Sequence, residues 1–429
     1  MGNLTQHKNI LMPLCSAAAS ILLFAWQPFP GEYRVGVFAL MILGIYHLLQ
    51  KQTDINRPTF TRLLQLLACS AIPAIASLAL SINKSSTLEG IGTILASTFV
   101  GLGMLTGLEN TQARLIQQRG ITIVVATWIL GACIYSAVSI GFHGSIETLT
   151  PSLSFLTSSR FGRLLTMLMP MALWRPIRER SVGGFGLLIG AGIATILSGQ
   201  RNNILSYLIG ACLLLSQLPR KLAIRLFAAV VAIILCVYPF STELKTRTRQ
   251  IVSAIHLASP VAQQEFRQEK KTENTLLDRF NLISNDRGFI YDAAIKMVRS
   301  NPLTGTGAFT FKDAYPKFAD RRDKQRFTAP PGPHNIYLGM LAQTGIIGLA
   351  GLFITIYLLV RWHLSCRGSE FKLEEAKPYS ASLIVMLFPL ITQNDFYSSF
   401  FATSFLYMSC GLLTAYYLPN RESNLQKPG

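Results

Sequence analysis

Residues 335–360 read NIYLGMLAQTGIIGLAGLFITIYLLV, an apolar run without a charged side chain. A helix that crosses a bilayer needs about 20 mostly apolar residues, so this stretch predicts a membrane-spanning helix. The whole chain of 429 residues has the same character, since 50% is hydrophobic, 14% is charged and the mean hydropathy is +0.38. Soluble proteins carry about 25% charged residues. The composition therefore argues against a soluble enzyme and against a disordered chain.

Eleven further apolar runs predict an all-α polytopic membrane protein with about 12 transmembrane helices. The twelve predicted spans lie near 10–26, 35–49, 63–82, 88–108, 121–142, 161–174, 182–198, 203–218, 222–240, 335–360, 379–393 and 400–418. The first of them is predicted to stay in the mature protein as a membrane span, because no signal-peptide cleavage site follows it.

The positive charges orient these spans. With a cytoplasmic N-terminus, the inside segments carry 18 Lys and Arg and the short outside segments carry 5. Positive residues favour the cytoplasmic side, so both termini are predicted in the cytoplasm. The net charge of +18 then reflects the orientation of the protein in the membrane, and no nucleic-acid partner is expected. Three regions follow: helices 1–9 in 1–240, an outer loop domain in 241–333, and helices 10–12 with a cytoplasmic tail in 334–429.

The long outer loop is expected to be partly helical. Asp286–Arg299 carries apolar residues at helical spacing, with Asp286 as a candidate N-cap, and Asn301-Pro302 should end that helix. Thr242–Ala258 is a weaker amphipathic candidate. The loop has a net charge of +6, which suits an anionic ligand such as a phosphate-bearing lipid.

Metal and nucleotide motifs are weak or missing. The histidines are scattered, and neither CxxC nor HExxH occurs, so no metal, no cofactor and no disulfide framework are predicted. Gly101-Leu-Gly103 and Gly190-Ala-Gly192 resemble fragments of a dinucleotide-binding loop. They lie inside apolar spans with no preceding strand, so close helix packing is the favoured interpretation.

Polar residues gather on the predicted outer face. Arg201 interrupts two apolar runs, Arg287 begins the loop helix, and His334 follows a proline-rich stretch. Arg160 and Arg163 lie on the same side. Arginine binds phosphate with two parallel hydrogen bonds, and histidine exchanges protons near neutral pH. Arg201 could instead extend to lipid head groups, and His334 could be a capping or interfacial residue.

These residues carry a family resemblance. The chain resembles the O-antigen ligases of the O-antigen ligase/polymerase superfamily in five short motifs: Ser198–Arg201, Arg287–Tyr291, Asn301–Gly307, His334–Tyr337 and Gly345–Gly348. The resemblance implies a GT-C-like membrane fold in the bacterial inner membrane. It also implies metal-independent transfer of a polysaccharide from undecaprenyl diphosphate to the lipid A–core oligosaccharide on the periplasmic face.

The resemblance also implies roles for individual residues. Arg201, Arg287 and His334 are the expected catalytic residues, with the arginines binding the diphosphate and His334 acting as general base. Beyond the resemblance, polar groups on the predicted outer face add Arg160, Arg163, Asn335 and Asp395 as expected substrate-binding residues. Asp395 could orient His334 or simply be a polar helix end. Gln200 departs from the Ser that relatives often carry before the arginine.

Three alternatives stay open at this point. An O-antigen polymerase or a protein O-oligosaccharyltransferase of the same superfamily would use the same chemistry on another acceptor. A transporter of the lipid-linked glycan would instead place polar groups near the bilayer middle, whereas here they gather at the outer surface. The expected partners are the lipid-linked polysaccharide, the lipid A–core and membrane lipids. The sequence does not indicate an oligomeric state.

Overall fold

The computed structural model describes residues 2–27, 29, 32–49, 57–143, 159–198, 200–237, 287–320, 330, 332–389 and 399–419. These residues form helices and connecting turns, without a β-strand. The α-helices are α1 Gly2–Trp26, α2 Tyr33–Leu49, α3 Arg57–Ser77, α4 Lys84–Glu109, α5 Thr111–His143, α6 Ser159–Arg178, α7 Val182–Leu197, α8 Arg201–Leu215, α9 Arg220–Val237, α10 Arg287–Ser300, α11 Phe311–Phe318, α12 Ile336–Ser365, α13 Glu370–Leu387 and α14 Ser399–Tyr417.

Each of the twelve predicted spans overlaps one of these helices, so the all-α membrane class is confirmed. Within the described part of the chain, four helices are long and apolar enough to cross a bilayer: Pro58–Leu80, Lys84–Glu109, Thr111–Tyr135 and Ile336–Gly368. Four shorter apolar helices accompany them, at Ile10–Trp26, Tyr33–Leu49, Val182–Ile196 and Asn202–Leu215. The number of twelve crossings, the GT-C-like arrangement and the three-region division of the chain stay predictions.

Two helices begin earlier than their apolar runs. Helix α5 starts at Thr111 and α13 starts at Glu370, each about ten residues before the predicted span. The added turns are polar, and they pair with each other. The buried Arg114 lies 3.3 Å from the carboxylate of Glu375 and donates to the Leu108 carbonyl at 3.0 Å. A prediction from apolar runs ends a helix at its first charged residue. Here the charged turns stay helical because the neighbouring helix stabilises them.

Helices α2 and α4 approach each other through glycines. A Cβ added to Gly103 would lie 2.1 Å from the Leu40 carbonyl oxygen, and one added to Gly44 would lie 1.9 Å from that of Phe99. Only residues without a side chain permit backbones to pack this closely. Gly103 therefore serves helix packing in a long apolar helix, as the sequence favoured over a nucleotide loop.

The loop helix predicted at 286–299 is confirmed as α10, which ends at Ser300, just before Asn301-Pro302. Its buried face, which includes Ala293 and Met297, packs against Tyr315 of α11 and Ala342 of α12. The loop is thus fixed to the membrane helices by an apolar cluster of its own. Asp286 and the Thr242–Ala258 candidate lie outside the described residues.

Helix α12 is interrupted at Gly345, although its sequence predicts one continuous span. The glycine has φ 65° and ψ −161°, a backbone conformation that is essentially restricted to glycine. A broken helix inside an apolar bundle leaves N–H and C=O groups without helical partners, and each unsatisfied group there costs several kcal/mol. The break must therefore be compensated by another part of the chain.

That compensation comes from residues 301–310, which we call the strap. Strap amides of Thr306 and Gly307 donate to the α12 carbonyls of Ala342 and Gln343 at 3.0 and 2.9 Å. In return, the Ile346 amide donates to the Pro302 carbonyl at 2.9 Å. The backbone groups freed by the break are thus paired with the strap in both directions.

The conformation of Gly345 gives a direct test of this arrangement. Gly345→Ala should destabilise the protein by about 1–3 kcal/mol from backbone strain alone, and its Cβ would lie 2.2 Å from the Leu303 carbonyl oxygen. The expected result is a lower midpoint of thermal unfolding in detergent. The matched control is Gly92→Ala in α4, where an added Cβ meets nothing within 4 Å. An unchanged midpoint for Gly345→Ala would contradict the interrupted helix.

Candidate functional site

Packing of α10 on α12 brings Arg287 towards His334. Arg287 is the first residue of α10, and the apolar face that follows it packs against Leu338 and Ala342. Leu338 lies one helical turn after His334 along the chain. The N-terminus of the loop helix and the N-terminus of α12 therefore meet at the same end of the bundle.

His334 has an unusual backbone conformation. It is half-buried and has φ 56°, in the left-handed region. Few residues other than glycine adopt that region, and they tend to occur at functional sites when the surroundings hold them there. The next residue, Asn335, is the N-cap of α12 and accepts hydrogen bonds from the amides of Tyr337 and Leu338 at 3.1 and 3.0 Å.

The start of α12 is also attached to the end of α13. The Asn335 side-chain amide donates to the Pro389 carbonyl at 3.3 Å, and the Tyr337 hydroxyl donates to the Leu387 carbonyl at 2.7 Å. Both Asn335 side-chain groups are thus occupied by the fold. This capping role does not test the predicted contact of Asn335 with substrate, which stays a prediction.

Helix α6 supplies Arg163 by packing on the α7–α8 turn. A Cβ added to Gly162 would lie 2.3 Å from Asn203 Nδ2 and 2.5 Å from Ser198 Oγ. Asn203 Nδ2 in turn donates to Ser198 Oγ at 3.0 Å. Because this turn leads directly into Arg201, the first residue of α8, the starts of α6 and α8 lie side by side.

The electrostatics of His334 show which charges surround it. Burial, followed by the positive charges of Arg287 and Arg163, lowers the pKa of His334 to about 4. Each of these effects disfavours the imidazolium. His334 is consequently neutral at physiological pH and able to accept a proton. Three residues that are far apart in sequence, His334, Arg287 and Arg163, form one electrostatic cluster.

Arg160 has a different position from Arg163. Its guanidinium donates to the Gln27 carbonyl at 3.0 Å and lies over the Tyr33 ring at 5.8 Å from the centroid. Gln27 itself donates to Ser404 Oγ at 3.0 Å. Arg160 thus ties α6 to the α1–α2 turn and α14, although the sequence grouped it with Arg163.

The structure describes the remaining predicted site residues only in part. Arg201 opens α8 with Gln200 as the N-cap residue, but its side chain and Asp395 lie outside the described part of the chain. Sequence reasoning missed Gly162 and the buried pair Ser198–Asn203, which seat α6. The only signal for Gly162 was its place between Arg160 and Arg163. The predicted independence from metal stays a prediction.

Residues 185–353 match the family model described as O-antigen ligase. The match runs from α7 into α12 and includes Arg201, Arg287 and His334, all three predicted catalytic residues. Over this part of the chain, the match supports the resemblance to the O-antigen ligase/polymerase superfamily. No curated protein matches the chain.

The charge cluster around His334 gives a prediction that does not depend on activity. Arg287→Gln removes one of the two positive charges that lower the His334 pKa. The pKa should therefore rise from about 4 towards the ordinary value of 6.5. Diethyl pyrocarbonate modifies only neutral imidazole, so mass spectrometry of the His334 peptide across pH 4–8 measures the midpoint.

Arg299→Gln is the matched control, because Arg299 is exposed on the same helix. Its midpoint should equal that of the wild type. Equal midpoints for Arg287→Gln and the wild type would place the Arg287 charge away from His334.

Proposed function

We propose that the protein transfers a polysaccharide from undecaprenyl diphosphate to the lipid A–core oligosaccharide. The observation that carries this proposal is the convergence of neutral His334 with Arg287 and Arg163 at one end of the bundle. It combines positive charges with a proton acceptor, and the reaction needs both. The family match over 185–353 supports the class of lipid-linked donor.

In this proposal the arginines bind the donor diphosphate. As the bond between the sugar and the phosphate breaks, negative charge grows on the diphosphate, and positioned cations stabilise that charge in the transition state. Arg287 and Arg163 supply two guanidinium groups. The N-terminus of α8, where Arg201 stands, adds the partial positive charge of a helix N-terminus.

His334 is the proposed general base. A hydroxyl of the acceptor sugar attacks the anomeric carbon, its proton passes to the imidazole, and the bond to the diphosphate breaks in the same displacement. The leaving diphosphate carries away the electron pair, and the anomeric configuration inverts. Bound diphosphate also adds negative charge beside His334, which raises the affinity of the imidazole for a proton when the base must act.

The second candidate is an O-antigen polymerase, which uses another lipid-linked glycan as acceptor. The family match over 185–353 is compatible with either activity. Glycan gels of a deletion strain distinguish the two. Free lipid A–core with polymer still on its carrier is expected for a ligase, whereas lipid A–core capped with single repeat units indicates a polymerase.

Purified protein with lipid-linked polysaccharide, rough lipopolysaccharide and EDTA tests the mechanism. His334→Ala should lower the transfer rate at saturation by at least the roughly 10²-fold that a general base provides. Donor affinity should persist, because the arginines hold the diphosphate. Arg287→Lys should keep part of the activity, since lysine retains the charge but loses the planar pair of donors.

Arg163 and Arg160 form an internal control for the same assay. Arg163→Gln should weaken donor binding and transfer, because Arg163 faces His334. Arg160→Gln should act mainly on stability, because its guanidinium bonds the Gln27 carbonyl and lies over the Tyr33 ring. A His334→Ala protein that loses donor affinity but keeps its rate at saturation would refute the base assignment.

The proposed orientation has a separate test. Lys312 on α11 and Lys221 on α9 are both exposed, and the charge bias puts them on opposite sides of the membrane. In a cysteine-free background, an impermeant maleimide added to cells with a permeabilised outer membrane should label Lys312→Cys and spare Lys221→Cys. The reverse pattern would place the His334 cluster in the cytoplasm.

A further inference from the structure

A cavity of about 860 Å³ lies between α5, α6 and α13, at the end of the bundle opposite His334. Ligand pockets typically measure roughly 300–1,000 Å³, so it has room for a head group. Its apolar lining includes Ile123, Met171 and Pro378, and charged side chains from the helix ends line another part of it. Ile123 is 65% exposed on the outer face of α5, so the cavity connects an apolar face to a charged rim.

Three arginines and three glutamates line the cavity, and two further cations, Arg114 and Lys377, pair with those glutamates. Every glutamate lining the cavity already has a cationic partner: Glu179 pairs with Arg175, Glu374 with Arg178 and Lys377, and Glu375 with Arg114. Arg119 also lines the cavity. It is exposed and makes no ion pair or hydrogen bond with the residues that the structure describes. One guanidinium is therefore available to an anion.

We propose that this cavity binds the phosphodiester head group of an anionic phospholipid. The phosphate contacts Arg119 and the acyl chains leave along the exposed apolar face at Ile123. Basic pockets between transmembrane helices are suited to such head groups. The spare positive charge disfavours a zwitterionic lipid, and the opening towards the apolar face favours a lipid over a soluble phosphate. The site is separate from the His334 cluster and does not depend on the proposed reaction.

Native mass spectrometry of the delipidated full-length protein tests this proposal. Dioleoyl-phosphatidylglycerol is titrated against dioleoyl-phosphatidylcholine, which has the same acyl chains. We expect the first phosphatidylglycerol to bind at least about tenfold more tightly, the difference that one charge-assisted hydrogen bond provides. Arg119→Gln should remove that preference, and Leu115→Trp, which places an indole inside the cavity, should remove the bound lipid.

Arg361→Gln is the matched control, because Arg361 is exposed on α12 near the same end of the bundle and does not line the cavity. It should keep the wild-type preference. An equal loss in Arg119→Gln and Arg361→Gln, or equal binding of the two lipids, would overturn the proposal. Displacement of phosphatidylglycerol by soluble glycerol 3-phosphate at millimolar concentration would overturn the lipid assignment in favour of a soluble phosphate.

Discussion

The exchange of backbone hydrogen bonds between the strap and the broken helix α12 is the constraint on which the site depends. Lipid offers no hydrogen bonds, so a helix can be interrupted at membrane depth only where other protein groups satisfy its backbone. The strap amides of Thr306 and Gly307 and the carbonyl of Pro302 do this. Because α10 immediately precedes the strap, the same bonds fix the height at which α10 meets α12.

Fixing α10 determines the electrostatics at His334. Arg287 is the first residue of α10. The packing of the apolar face of α10 against α12 therefore determines where its charge lies. Burial, and after it the positive charges of Arg287 and Arg163, lowers the pKa of His334. In the proposed reaction, the donor diphosphate brings negative charge to this cluster.

Much of the fold was predictable from the sequence because apolar length is a strong signal in a membrane protein. The predicted helix at 286–299 and the grouping of Arg287 with His334 followed from spacing and from the membrane face. The break at Gly345 was not predictable, because glycine is frequent in transmembrane helices and nothing local marks this one as non-helical. The early start of α13 was missed because Glu375 is stabilised by Arg114, a partner more than 200 residues away.

Arg160 and Arg163 show that the sequence also could not predict the different positions of two neighbouring side chains. They lie three residues apart on α6, and no sequence pattern separates them. In the structure one donates to the Gln27 carbonyl, while the other contributes to the low pKa of His334. Gly162 accounts for this difference. Because it has no side chain, α6 packs closely against the Ser198–Asn203 pair, and this packing fixes the rotation of the helix about its axis.

The strap also connects the site to helices that carry none of its residues. The Ile82 amide donates to the Thr306 carbonyl at 2.9 Å, and the Ala308 amide donates to Ser77 Oγ at 3.0 Å. The α3–α4 turn is therefore bonded to the same short segment that completes α12. A change in that turn can therefore reach α12 through these hydrogen bonds to the strap. For this reason, loss of activity in a variant of the α3–α4 turn would not by itself place that turn in the substrate-binding site.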